Sequence, residues 1–270
     1  MKLFIYANWE KVCKALEGKT IRADEILDNK LSQNWIVIKH DVETNVAKAL
    51  ILAKIEAKYN IASTYYVQAD LLDENYKILQ EIAKLGHEVT YHYDVLDACD
   101  GDMEKSIKSF TDYKNQFESF GFKIKTVCPH GNPIKIRNGW SSNKDFFRNE
   151  EVNRLFPHIL DIVIHLKNQL DNPYTYVSDA GYSFQEIGNI DSNDKDENKD
   201  RKIEEDLIVF LKRKKFLILS THPHRWESNA FKFILKVYGF KSIRVIAKQL
   251  AKIGFFKKIM SKYYYLAKRV

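Results

Sequence analysis

At 270 residues, 45% hydrophobic and 29% charged, the chain is long enough for one large domain with a full core and too apolar for global disorder. Ten glycines and five prolines argue against fibrous and linker-dominated architectures, and no run of about 18 apolar residues offers a membrane span. The net charge of +7 averages two unlike parts: Phe231–Val270 holds eleven Lys or Arg and no Asp or Glu, which leaves a formal −4 on residues 1–230.

The opening MKLFIYANWEK shows no signal-peptide pattern, so a cytoplasmic location is expected. Asn8–Glu17 and Arg22–Asn29 pattern as short helices. Trp35–Ile38 reads as a strand, and Thr44–Tyr59 as a helix with Val46, Leu50, Ala53 and Ala57 on one face. There follow strand Ile61–Val67, helix Asp73–Leu85 capped by Gly86, strand His87–Tyr93, helix Met103–Phe120 ending at Gly121, and strand Ile124–His130. This alternation predicts parallel strands with helices packed outside. Gly131–Gly139 reads as a loop, Asn143–Phe156 as partly helical, and Asp161–Leu166 and Tyr174–Ser178 as further strands. Asp191–Asp206, dense in polar residues, reads as a solvated loop before helix Ile203–Lys212 and a last strand, FLILSTHPH.

The ends of these strands concentrate the reactive side chains. His40, Asp41 and Glu43 follow the first strand, His92 and Asp94 the third, His130 the fourth, and His222 and His224 the last. In a parallel α/β architecture all C-terminal strand ends lie on one face, where active sites form. Residues i and i+2 of a strand point the same way, so Asp41/Glu43 and His92/Asp94 can each project as a pair. Imidazoles and carboxylates are the usual ligands of a catalytic divalent ion such as zinc, with one position left for water. With a carboxylate to take the water's proton and a histidine to protonate the leaving group, the set suits metal-assisted hydrolysis of an amide or ester. The competing assignment for Asp41 is a helix N-cap, and His87, His158 and His165 read as structural. Cys13, Cys99 and Cys128 lack C-x-x-C spacing and read as reduced thiols. Phosphate-loop, dinucleotide and nucleophile-elbow motifs are missing.

Six segments, KHDVE, STYYV, GHEVTYHYD, CPHGNP, YVSDAGY and LSTHPHRW, occur in an order that resembles the NodB-homology polysaccharide deacetylases (carbohydrate esterase family four). The resemblance runs from Trp35 to Trp226 and is nearest the divergent branch found in O-antigen and other surface-polysaccharide gene clusters. It implies a distorted (β/α) barrel and a metal-dependent N-deacetylase. It implies Asp41 as catalytic base, Glu43 at the place of a metal-binding Asp, and His92 as the first metal-binding His. It also implies His222 as general acid, with Asp179 orienting it. Three departures stand out. The family's second metal His falls at Leu96, Glu43 is one methylene longer than Asp, and the Arg that supports the base is missing from VCPHGNP. His130 is the expected replacement ligand, ahead of Asp94. Trp226 and Tyr182 are expected to stack on sugar faces.

The resulting expectation is a deacetylase-like α/β barrel over residues 1–230 and a basic, amphipathic helical segment over 231–270. The reaction expected is removal of an N-acyl group, N-acetyl in the simplest case, with one divalent ion, zinc foremost. The substrate expected is a sugar of lipopolysaccharide O-antigen or capsule, or its lipid- or nucleotide-linked precursor. The alternative is a catalytically inactive saccharide-binding barrel. The basic segment either packs on the barrel or docks peripherally on the anionic inner face of the cytoplasmic membrane, with Phe255, Phe256 and Tyr263–Tyr265 at the interface. Nucleic acid is not expected, because no recognised binding motif accompanies the cations.

Overall fold

A computed structural model of the chain describes residues 3–28, 34–132, 135–166, 173–188, 190 and 200–250, with backbone alone at 240 and 243–250. Helix α1 (Tyr6–Ala15), strand β1 (Thr20–Ile21) and the short α2 (Glu25–Asp28) lead into β2 (Trp35–Val42) and α3 (Val46–Lys58). Strand and helix then alternate through β3 (Thr64–Val67), α4 (Leu72–Lys84), β4 (Glu88–Tyr93), α5 (Val95–Ala98), α6 (Met103–Ser119) and β5 (Thr126–Pro129). The second half holds α7 (Asp145–Arg148), α8 (Glu150–Leu155), β6 (Leu160–Asp161), β7 (Thr175–Ser178), β8 (Gln185–Ile187) and β9 (Arg201–Lys202). It ends with α9 (Leu207–Lys212), β10 (Phe216–Thr221) and α10 (Ala230–Leu250).

The strands form one mixed sheet in the order β6-β5-β4-β3-β2-β10-β7-β8-β9. From β6 to β7 every pairing is parallel, and β8 and β9 add antiparallel. Among the described residues the path is open, in keeping with the expected distorted α/β barrel of mainly parallel strands and outer helices. One edge of β2 is shared: β1 pairs with Ile36 and Val37, and β3 takes over from Lys39 to Val42.

Period-two alternation sorts β2 into two faces. Ile36, Ile38 and His40 lie beneath α1 and α3, where Trp9, Leu52 and Leu219 complete a core cluster with the two isoleucines. His40 stacks on Tyr65 with ring centroids 4.4 Å apart, and its Nε2 lies 2.8 Å from Glu56 Oε1 of α3. Glu56 also accepts from Trp9 Nε1, Ser63 Oγ and Tyr65 OH. Burial alone would raise the Glu56 pKa, but His40, His87 and Ser63 outweigh it and hold the carboxyl at about 2. His40 therefore fastens a helix to the sheet and does not face the strand-end rim.

Two local expectations are corrected. The strand expected over Asp161–Leu166 stops at Asp161, because its Oδ1 accepts from Val163 N (2.8 Å) and Ile164 N (3.0 Å) and turns the chain. Asp41 does not cap α3; Asn45 stands at the N-cap with φ 48°. Of the polar loop, 191–199 lies outside the described residues, while Arg201 and Lys202 pair with β8.

On the other face of the sheet, Glu88 sits low among Thr64, Thr126 and Asp24, accepting from both hydroxyls at 2.8 Å and from Asp24 N at 3.1 Å. Burial, followed by the Asp24 charge, pushes its pKa up from 4.5 to about 7. The folded protein thus keeps a proton that the unfolded chain releases. The stabilisation is whole below pH 4.5 and is lost as pH rises to about 7. Relative to Glu88→Gln, the native chain is expected to lose about 3 kcal/mol across that window. Urea denaturation of both proteins at several pH values checks this, and parallel pH profiles would reject it.

Candidate active site

Parallel register brings the reactive side chains to one end of the sheet. Asp41 pairs with Tyr66, Tyr66 with Thr90, and His92 with Cys128, while Ser220 lies beside Lys39. Each of these residues faces the same side as its partner, so Lys39, Asp41, His92, Cys128 and Ser220 share one buried interior.

At its centre is a lysine that spacing alone did not single out. Lys39 is 1% exposed, and its Nζ lies 2.7 and 2.9 Å from the two Asp41 oxygens and 3.0 Å from Cys128 Sγ. Its three ammonium hydrogens thus have three acceptors, and the Tyr66 ring lies 5.3 Å below. Burial would depress the Lys39 pKa, but Asp41 outweighs it and holds it well above the ordinary lysine value. Burial would likewise raise Asp41, and Lys39, His92 and His222 outweigh it, leaving the carboxyl at about 2. The signal available in the sequence was the i, i+2 relation of Lys39 to Asp41 on one strand.

Three donors gather just above this pair. Glu43 Oε1 lies 3.2 Å from His130 Nε2 and 3.8 Å from His92 Nε2, and the two imidazole centroids are 5.3 Å apart. One ligand atom from each of the three lies within 4.8 Å of the others. His92 Nδ1 is 3.0 Å from the Cys128 carbonyl. A carbonyl only accepts, so Nδ1 carries the hydrogen and Nε2 is left as the metal-facing atom. Burial would lower the His92 pKa, but Asp41, the Cys128 side chain and Glu43 raise it to about 10, so the pocket favours positive charge. Two imidazoles and a carboxylate form the donor set of a catalytic zinc site with an open position, so these residues fit a divalent ion. Asp41, His92 and Cys128 form a second possible triad. There the Lys39 ammonium already supplies the cation, which leaves the Glu43 set as the better candidate.

His130 is held from a distance. Its N–H donates to Tyr93 O (2.7 Å), and its carbonyl accepts from Asn143 Nδ2 (2.9 Å). Asn143 is itself bound to Asp97, whose carboxylate accepts from Arg137 Nε and Nη2 at 2.7 Å each and from Trp140 Nε1 at 2.9 Å. Asp94 does not join any donor group among the described residues, and Leu96 is buried in the core cluster of α4 and α6.

On the opposite side of Asp41 stands His222, its Nε2 3.9 Å from Asp41 Oδ2. Asp179 Oδ1 is 2.7 Å from His222 Nδ1, and Asp179 Oδ2 accepts from His222 N (2.9 Å) and Thr221 Oγ1 (2.8 Å). Arg225 Nη1 donates to the Asp179 carbonyl at 2.8 Å and also to its carboxylate. Burial would raise the Asp179 pKa, but Arg225 and His222 outweigh it and hold the carboxyl far below the usual range. Arg225 is a second residue that motif matching did not single out.

Of the two expected sugar-stacking aromatics, Trp226 is corrected. Trp226 is fully buried between Phe4 and Trp9, with its indole N–H on Thr221 Oγ1. Tyr182 packs edge-on against Phe4 and Phe233, with the Arg225 guanidinium 5.9 Å from its ring centroid. The Trp226 ring is thus occupied by the fold, whereas Tyr182 is half-buried.

No family model and no curated relative match the sequence. Among solved structures, the chain is similar to the peptidoglycan deacetylase PdaC from Bacillus subtilis at 17% identity and TM-score 0.38, covering 81% of this chain and 98% of that one. It is similar to a CE4 family pseudoenzyme from Bacillus anthracis at 13% identity and TM-score 0.41, covering 77% and 62%. A family 4 carbohydrate esterase from Streptomyces lividans, in complex with acetate, matches at 13% identity and TM-score 0.31, covering 37% and 54%. Likeness at this level does not transfer an activity.

Two outcomes are expected of this geometry. Elemental analysis and chelator competition should find an equimolar divalent ion, held at least about tenfold more weakly in Glu43→Ala, His92→Ala and His130→Ala but unchanged in Asp94→Ala. Removing one partner of the buried pair, in Lys39→Met, should cost about 3–5 kcal/mol in urea denaturation, and Lys39→Met/Asp41→Leu should restore most of it. A double variant no more stable than the single would show that the charge pairing is not what holds the interior.

Proposed function

We propose that the chain is a metal-dependent hydrolase that removes an N-acyl group, acetyl in the simplest case, from a sugar of a surface polysaccharide or its lipid- or nucleotide-linked precursor. The supporting observation is the meeting at one rim of the Glu43–His92–His130 donor set, the ionised Asp41 and the Asp179-bound His222. The resemblance of the six ordered segments to the NodB-homology deacetylases supplies the substrate class.

Glu43, His92 and His130 would hold the ion. When bound, a divalent ion there polarises the acyl carbonyl and lowers the pKa of water from about 15.7 to about 7. Asp41 is the acceptor for the proton of the attacking water, since Lys39 keeps it ionised and fixes both its oxygens. Asp179 accepts from His222 Nδ1, so Nε2 is the nitrogen that gives its proton to the departing amine. Water adds to the acyl carbon, the C–N bond breaks, and the products are a carboxylate and a free amino sugar. Arg225 and Thr221 act through Asp179 as positioning residues.

Leu96, at the place of a family ligand, supports the second reading, a saccharide-binding barrel without turnover. Acyl release from a panel of N-acetylated saccharides separates the two. Asp41→Asn and His222→Ala are each expected to lower turnover by about 10²–10⁴ while the ion stays bound. Unchanged turnover in Asp41→Asn would reject its role as base. A metal-free native chain that binds saccharide and releases no acyl group would establish the second reading.

A further inference from the structure

Among the described residues, no helix is long and apolar enough to cross a membrane. Helix α10 nevertheless carries an unusual outer face. Phe231, Ile234, Leu235 and Tyr238 are 71%, 43%, 57% and 68% exposed. Their spacing of i, i+3, i+4 and i+7 makes them one continuous stripe. The opposite face is committed: Phe233 is buried against Phe4 and Tyr182, and Val237 packs on the same cluster. Lys236 fixes the helix further, donating to the His224 carbonyl (2.7 Å) and to Glu227 (3.1 Å). The helix thus buries one apolar face and presents a second to solvent.

The charge of this region says what suits that second face. Eleven Lys or Arg and no acid occur between Phe231 and Val270, whereas residues 1–230 are net negative. An apolar stripe flanked by cations is the pattern of a helix lying in the plane of an anionic bilayer, with its large side chains below the headgroups. We propose that α10 docks the protein on an anionic phospholipid surface through Phe231, Ile234, Leu235 and Tyr238. Phe255, Phe256 and Tyr263–Tyr265, expected from the sequence to reach the interface, lie outside the described residues; the stripe on α10 is a separate set. Lys236 ties α10 to the turn that follows His222. This inference depends on the helix alone and stands whether or not the chain is a deacetylase.

The test uses the full chain and the triple variant Phe231→Ser/Leu235→Ser/Tyr238→Ser. All three side chains are exposed, so folding should be kept, and a circular-dichroism melt verifies that. Co-sedimentation is measured with vesicles containing phosphatidylglycerol and with vesicles of phosphatidylcholine alone. The expected result is binding that prefers the anionic vesicles, weakens as salt is raised, and falls at least about tenfold in the triple variant. Equal binding by variant and native chain would overturn the proposal, as would indifference to phosphatidylglycerol. So would a self-associated native chain that ignores vesicles and becomes monomeric in the variant, or a salt-sensitive duplex DNA complex without vesicle binding.

Discussion

A lysine ammonium buried against a carboxylate is the constraint on which the interior of this protein depends. Lys39 and Asp41 sit two residues apart on β2, so the pleat alone puts them on one face, and both are removed from water. Such a pair repays its desolvation only when every remaining donor and acceptor is met. Lys39 uses all three hydrogens, on both Asp41 oxygens and on Cys128 Sγ from β5. The pair therefore ties β2 to a strand that it does not adjoin. It also fixes the register, because a slip of one residue would turn Ile38 and His40 inward and carry Asp41 away from the rim.

Charge alternates outward from that point. Lys39 holds Asp41 ionised, Asp41 and Glu43 favour a cation at His92, and Asp41 lies between His92 and His222. On the far side of the same strand, Glu56 and His40 make a separate buried network that fastens α3. The sheet separates the two, so one strand carries a structural hydrogen-bonded pair on one face and the candidate site on the other. Alternation along eight residues is enough to keep the two tasks apart.

Much of this architecture was legible in the sequence because it is written in local periods. The strand–helix alternation, the interior face of each strand and the arrival of Asp41, His92, His130 and His222 at one end follow from spacing. What spacing does not encode is depth and long-range closure. Lys39 looks like a solvated lysine until β5 brings Cys128 over it. Trp226 looks like a loop aromatic until α1 brings Trp9 against it. The sequence ranked His130 ahead of Asp94 but could not show why His130 meets Glu43 and His92: the path after β5 is set by contacts to Asp97, some thirty to fifty residues away in sequence. The outer face of α10 was likewise hidden, since a sequence with apolar residues all round a helix does not say which of them remain uncovered.

The same contacts explain why α5 adds no member to the three-donor set. Leu96 faces the core, where an imidazole would have to satisfy two ring nitrogens among aromatic and aliphatic side chains. Its neighbour Asp97 points the other way and receives Arg137, Trp140 and Asn143. Asn143 then grips the His130 carbonyl. Helix α5 thus contributes no ligand of its own but supplies the anchor for the loop that follows one. His130, at the end of β5, inherits the rigidity of the sheet, with Tyr93 O on its own N–H, and so its direction is set by the fold. The helix thus holds His130 in place without itself joining the donor set.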